Sequence, residues 1–217
     1  MTTVDPIDIP KSMNKAQREW WILFGIAVAG KGADQTRKKL DAFLKDAEQQ
    51  VRAATTGRGR FSPFDVVRWL ATNRKLMPML TKHKVGQYQR IGTAFTQALT
   101  LDADALTVEN LEAIPGVGPK TARMVILYTQ PDANCVPLDT HILKYLALKC
   151  PMTKVPKSTP AAGPLYRDLE ILFQELARRL GVAVRDLDTA VWTAYHDNDL
   201  SQLPGLSDAE KSAEAKN

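Results

Sequence analysis

An all-α protein is predicted by three observations. Apolar residues recur at helical spacing through most of the chain. No segment alternates convincingly as a strand would. Prolines, glycines and polar caps punctuate the periodic stretches where helices should start and stop. With 217 residues and 44% hydrophobic content, the chain can build a core as one domain or two small lobes. A net charge of +5 fits a polyanionic partner without proving one.

The elements follow in order. The run Trp20 to Gly30 is apolar but too short to span a bilayer. It lies behind a polar, charged segment and lacks a signal-peptide layout. It therefore reads as a buried helix with Trp20 and Trp21 in the core, and no membrane association is expected. A cytoplasmic location near the nucleoid, or in a phage-infected cell, is expected. Lys38 to Arg52 carries Leu40, Phe43, Leu44, Ala47 and Val51 at helical spacing. Thr55 to Arg60 is a Gly/Arg-rich loop, and Ser62 caps a helix over Pro63 to Leu70. Basic clusters at Arg58-Gly-Arg60, Arg74-Lys75 and Lys82-His83-Lys84 sketch a DNA-facing side. Pro151 to Pro164 reads as an ordered connection, and Arg167 to Leu180 as an amphipathic helix. Residues 1–14 and 201–217 read as tails, the latter disordered. No internal repeat is visible.

The segment Leu111 to Thr121, Leu-Glu-Ala-Ile-Pro-Gly-Val-Gly-Pro-Lys-Thr, is the most informative. Thr107 is placed to cap a short helix with apolar Val108, Leu111 and Ile114. Pro115 ends it. Gly116 and Gly118 permit positive φ and leave no Cβ in the way. Pro119 suits the first position of a second helix, which continues through Ala122, Val125, Ile126 and Leu127. The pattern looks like a helix-hairpin-helix, whose backbone N–H groups approach a phosphate closely. An ordinary αα-hairpin with a glycine turn is the plain alternative. Gly-Pro-Lys-Thr is not the end of a P-loop, which needs Gly directly before Lys and a strand before the loop.

Lys120 falls in the first turn of the second helix, where the macrodipole disfavours a cation. Burial beside DNA adds to that effect and makes a neutral, nucleophilic amine accessible. After a loop containing Pro131 and Pro137, Asp139 opens the run Asp-Thr-His-Ile-Leu. Its plain role is an N-cap. His141 then sits in the same first turn, where phosphate contact and packing are equally open. Cys135 and Cys150 read as reduced, partly buried thiols. No Cys/His spacing suits zinc, so neither metal nor cofactor is expected.

The order hairpin, lysine, Pro-containing loop, aspartate resembles that of the helix-hairpin-helix-GPD DNA glycosylases, the endonuclease III superfamily. Eighteen residues lie between Lys120 and Asp139, a spacing this superfamily uses. The chain is most similar to the type-2 8-oxoguanine DNA glycosylases, through Leu-Asp-Thr-His-Ile-Leu at 138–143, Val-Pro-Lys-Ser at 155–158, Tyr166 with Leu169-Glu170, and Leu187-Asp188 with Trp192. The likeness covers roughly residues 15 to 200.

The resemblance implies Lys120 as the nucleophile on the sugar C1′ and Asp139 as its partner. It implies a bifunctional glycosylase/AP lyase that flips a damaged base, excises it through a Schiff base and cleaves the strand by β-elimination. The base would be oxidised, with 8-oxoguanine the candidate. DNA contacts are implied at Gly116, Val117, Gly118, Thr121 and His141, at Lys31 near the gap-filling position, and at Gln87 in Lys-Val-Gly-Gln-Tyr. Two cysteines cannot build the four-thiolate iron–sulfur site of endonuclease III. The expected partner is duplex DNA carrying a lesion or a modified base, bound by a monomer. One lobe would combine 15–32 with 139–200. The other would be 33–138, with the hairpin at 107–129. Two other functions stay open: a glycosylase for a modified base, and a non-catalytic DNA-binding module.

Overall fold

The computed structural model describes residues 8–55 and 59–206. Among them it shows ten α-helices and no strand, as the periodicity predicts. They are α1 (Lys15–Val28), α2 (Ala33–Ala54), α3 (Pro63–Thr72), α4 (Leu76–Lys82), α5 (Tyr88–Ala98), α6 (Val108–Glu112), α7 (Pro119–Thr129), α8 (Thr140–Lys149), α9 (Pro164–Leu180) and α10 (Val184–His196). The 3-10 turn Leu200–Gln202 follows.

Local chemistry explains the starts. Asn14, Ser62 and Thr107 each accept the N3 backbone N–H of the following helix, and Gln17, Asp65 and Asn110 return the bond to the cap's own N–H. These reciprocal caps satisfy donors that a helix otherwise leaves open. Gly181, at φ 70°, closes α9 in the left-handed region.

The described chain divides into two compact units between Val117 and Gly118. In the first, from Pro10 to Val117, α1 packs with α2, α3 and α5. Leu23, Leu40, Phe43, Val67 and Phe95 are fully buried, each contributing about 2 kcal/mol of apolar burial. Trp20 stacks on Phe24 with ring centroids 5.1 Å apart, and its Nε1 donates to Asp41 Oδ1 at 2.9 Å. Both Trp20 and Trp21 are core residues. The buried Glu19 carboxylate accepts the Phe64 N–H at 3.0 Å, placing a negative charge at the start of α3.

The second unit takes Gly118 onward, with Ile9. Its core gathers Leu127 of α7, Leu138, Tyr145, Tyr166, Phe173 and Val191. The expected division of the chain is corrected accordingly. Residues 15–32 belong with 33–117, because the apolar surface of α1 is covered by α2, α3 and α5. Residues 118–138 join the C-terminal helices, because Leu127, Val136 and Leu138 are buried in that core.

The tails are corrected too. Ile9 and Met13 are buried, and Asn14 is a cap, so residues 9–14 are structured. Leu203 and Leu206 pack into the core of the second unit. Tyr145 Oη donates to Pro204 O at 2.8 Å, and Lys149 Nζ to Gly205 O at 2.6 Å. Two leucines three residues apart hold a segment that composition alone assigns to disorder. Residues 1–7, 56–58 and 207–217 lie outside the described residues, and with them the middle of the predicted Thr55–Arg60 loop. No described helix is long and apolar enough to cross a membrane.

Candidate functional site

The hairpin forms as its residues dictate. Pro115 and Gly116 occupy the middle of a turn closed by Val117 N–H donating to Ile114 O at 3.0 Å. Gly116 has φ 80°, and Pro followed by a left-handed Gly is the arrangement of a type II turn. Gly118 does not use the positive φ expected of it. It is extended, at φ −94° and ψ 176°, and serves as the N-cap of α7. A Cβ there would meet nothing within 4 Å. Pro119 takes the first helical position. The N–H groups of Gly118, Lys120 and Thr121 open α7 without an intrahelical acceptor. Val117 contributes a buried side chain, and its N–H closes the turn.

In the second unit, the loop back to Asp139 is pinned at each of its last polar backbone groups. Tyr166 Oη donates to Val136 O at 2.9 Å and accepts Leu138 N–H at 3.0 Å. Glu170 accepts Val136 N–H at 2.8 Å while holding Arg123 at 2.9 and 3.1 Å. Thr159 Oγ1 donates to Leu138 O at 2.7 Å. A buried loop must satisfy its backbone this way, and the consequence is a fixed Asp139. Cys135, in the same loop, donates to Arg123 O at 3.4 Å, and burial pushes its thiol up to about 12. It is an inert packing thiol at neutral pH.

Asp139 caps α8. Its Oδ1 accepts His141 N–H at 2.9 Å and Ile142 N–H at 3.0 Å. Both bonds go to Oδ1, which leaves Oδ2 unengaged among the described residues. Asp139 and Lys120 are each half-buried. The charges of both act on the His141 imidazole and on the Asp188 carboxyl. The fold therefore returns a lysine and an aspartate, with eighteen residues between them in sequence, to within electrostatic reach of the same two side chains in one unit.

His141 stacks on Tyr195 at 5.2 Å with an interplanar angle of 17°, and its Nδ1 is buried without a partner among the described residues. Burial, helped by the charges of Lys144, Lys120 and His196 and opposed by Asp139, lowers its proton affinity. Near neutral pH the ring is uncharged. Trp192 stacks on His196 at 4.4 Å.

Lys31 and Gln87 lie in the first unit and carry structural partners there. Lys31 Nζ donates to Ala27 O at 3.0 Å and Val85 O at 2.8 Å. Arg90 Nη2 donates to Ile26 O at 3.0 Å and Arg90 Nε to the Gln87 side chain. Two cations thus cover the open carbonyls where α1 ends. Burial lowers the proton affinity of Lys31, and Arg90 and Lys39 add to it. Gln87 itself is exposed, at φ 45°, a strained setting for a non-glycine residue. The basic cluster 82–84 is partly neutralised locally, since Lys82 and His83 both bind Asp46, at 2.6 and 2.8 Å.

The pairing of two side chains escapes sequence reasoning. Tyr128 Oη donates to Asp188 Oδ2 at 2.6 Å, and both are buried. The spacing Val184, Leu187, Asp188, Val191 holds the available signal: an aspartate stands in the apolar register of α10.

Residues 105–128 match the model of the helix-hairpin-helix motif. Neither the curated proteins nor the solved structures compared with the chain give a match. The motif match and the turn geometry together identify residues 105–128 as a helix-hairpin-helix, a DNA-binding element.

Proposed function

We propose that this protein is a bifunctional DNA glycosylase/AP lyase acting on duplex DNA with an oxidised base. What supports the reading is that Lys120 lies in the first turn of α7 and Asp139 caps α8 in the same unit, their charges both acting on His141 and Asp188, and that the open N–H groups and positive dipole end at the start of α7 favour a phosphate. The target base leaves the stack, at a cost of a few kcal/mol. Neutral Lys120 attacks C1′, the N-glycosidic bond breaks, and the base departs with its electron pair. While ionised, Asp139 Oδ2 stabilises the positive charge that develops on the sugar; once the C–N bond has formed it takes the proton shed by the Lys120 nitrogen, while Oδ1 keeps the cap. The Asp139 carboxyl returns that proton to the ring oxygen as the C1′–O4′ bond breaks, giving the Schiff base, and loss of a C2′ proton then expels the 3′-phosphate by β-elimination.

A second reading has its own support. The two bonds at Asp139 Oδ1 are sufficient reason for an aspartate at that position, and a non-catalytic helix-hairpin-helix module would keep them. A panel of duplexes, each with one damaged or modified base, separates the readings. The glycosylase reading expects strand cleavage of one oxidised-base duplex, 8-oxoguanine foremost, without alkali. Cleavage confined to a modified, undamaged base would move the substrate class. Binding of every duplex with no cleavage, before or after alkali, would support the module.

A further inference from the structure

Three side chains with no part in that chemistry connect the backbone beside Lys120 to the backbone before Asp139, all within the second unit. Arg123 stands on α7, three residues after Lys120, and its Nη1 donates to Pro119 O at 3.3 Å. Its Nε donates to both Glu170 oxygens, at 2.9 and 3.1 Å. Its guanidinium lies 4.3 Å from the centre of the Tyr166 ring. The Arg123 and Glu170 side chains are each 12% exposed, and Tyr166 is fully buried. Tyr166 and Glu170 stand four residues apart on α9, so they share a face. One turn of α9 thereby meets Val136 N–H, Val136 O and Leu138 N–H, at 2.8, 2.9 and 3.0 Å. Thr159 Oγ1 supplies a fourth bond, to Leu138 O at 2.7 Å. Asp139 is the next residue. Desolvating an ion pair is costly, and an apolar pair of similar volume is often at least as stable. What the charged fork adds is direction, because it fits its carboxylate in few geometries.

We propose that Tyr166 and Glu170 are positioning residues for Asp139, and that Arg123 keys them to the helix carrying Lys120. The contacts run from Pro119 O through Arg123 and Glu170 to Val136, and through Tyr166 to Val136 and Leu138. They set the backbone from which Asp139 projects. Asp139 Oδ1 reaches the N–H groups of His141 and Ile142 only when that backbone enters α8 at the right angle. A loop held by fewer bonds would let the carboxylate swing and lose its place. The catalytic consequence rests on the glycosylase reading; the positioning itself does not.

The informative variant is Tyr166→Phe, which keeps the buried ring and removes both hydroxyl bonds. Amide hydrogen exchange on the DNA-free protein reads the positioning. The N–H groups of His141 and Ile142 bond to Asp139 and not to Tyr166. They should nevertheless exchange about tenfold faster in Tyr166→Phe, the scale of one lost hydrogen bond. Amides in the middle of α9 and α10 should change less. Borohydride trapping on an abasic-site duplex, under single turnover, reads the chemistry. The maximal trapping rate should fall roughly ten- to a hundredfold, the cost of a small misplacement of a reacting group. The DNA concentration giving half that rate should stay within about twofold, because the open N–H groups of α7 are untouched. Glu170→Gln keeps an acceptor for Val136 and loses the charge held by Arg123, so it should act in the same direction by less. A merely structural role would speed exchange through α9 and α10 while each folded molecule traps at the parental maximal rate. An unchanged maximal rate therefore overturns the assignment. So does unchanged exchange at His141 and Ile142, or equal acceleration of all amides. A wild type that traps on no DNA defeats the lyase reading alone, and the exchange then decides. If Tyr166→Phe does not fold, Thr159→Val, at an exposed residue, removes one bond to the same loop and decides by the same readings.

Discussion

At the scale of single residues, the proposed function gives Asp139 two roles on two oxygens. Oδ1 accepts two N–H groups at the start of α8, and in the proposed mechanism Oδ2 handles the proton. Asp139→Asn keeps the capping oxygen and removes the charge, so the roles separate. Excision should fall by roughly 10²- to 10⁴-fold, the usual worth of a positioned acid–base group. The melting temperature should barely move, since Asn caps about as well as Asp. A variant that melts earlier but excises at the parental rate would reduce Asp139 to a cap. The placement of Lys120 and Asp139 at helix starts is legible in the sequence, because local residues mark such starts. Asp188 is not, because burial of a carboxyl is decided by Tyr128, sixty residues away. The partners of Lys31 are hidden from the sequence for the same reason. Its ammonium donates to the carbonyls of Ala27 and Val85, the second far away in the chain.

At the scale of elements, the hairpin is the best-predicted piece. Its cap at Thr107, its Pro-Gly turn and its Pro-led second helix all follow from backbone rules that need no tertiary partner. The correction at Gly118 sharpens a test. Because that residue is extended and open, with nothing within 4 Å of a built Cβ, Gly118→Val should fold without turn strain. What valine adds is bulk where a phosphate would approach the start of α7. DNA affinity should therefore drop about equally for lesion-bearing and undamaged duplexes, with salt weakening both. Normal binding by folded Gly118→Val would place the contact elsewhere. Selective loss of lesion binding would also count against a phosphate clamp, which cannot see the base. α10 was legible only in outline, since its amphipathic stripe contains the aspartate that breaks the apolar pattern.

At the scale of the molecule, helical class was readable from periodicity, but the partition into units was not. The dividing point falls inside the motif, between Val117 and Gly118, where the sequence offers one continuous hairpin. Which core receives α1 or Leu203 depends on long-range packing that no local pattern encodes. The sequence also marks an end to order too early: Leu203 and Leu206 are few among polar neighbours, yet both are buried. The central claim is that one amine of this protein becomes covalently bound to DNA. Borohydride reduction of the protein on a duplex with an abasic site, or with the right oxidised base, tests it most directly. The wild type should form a stable protein–DNA adduct, an imine caught on C1′, and Lys120→Gln should form none. An adduct formed by Lys120→Gln at the parental rate, or no adduct with the wild type on any duplex, would contradict the account.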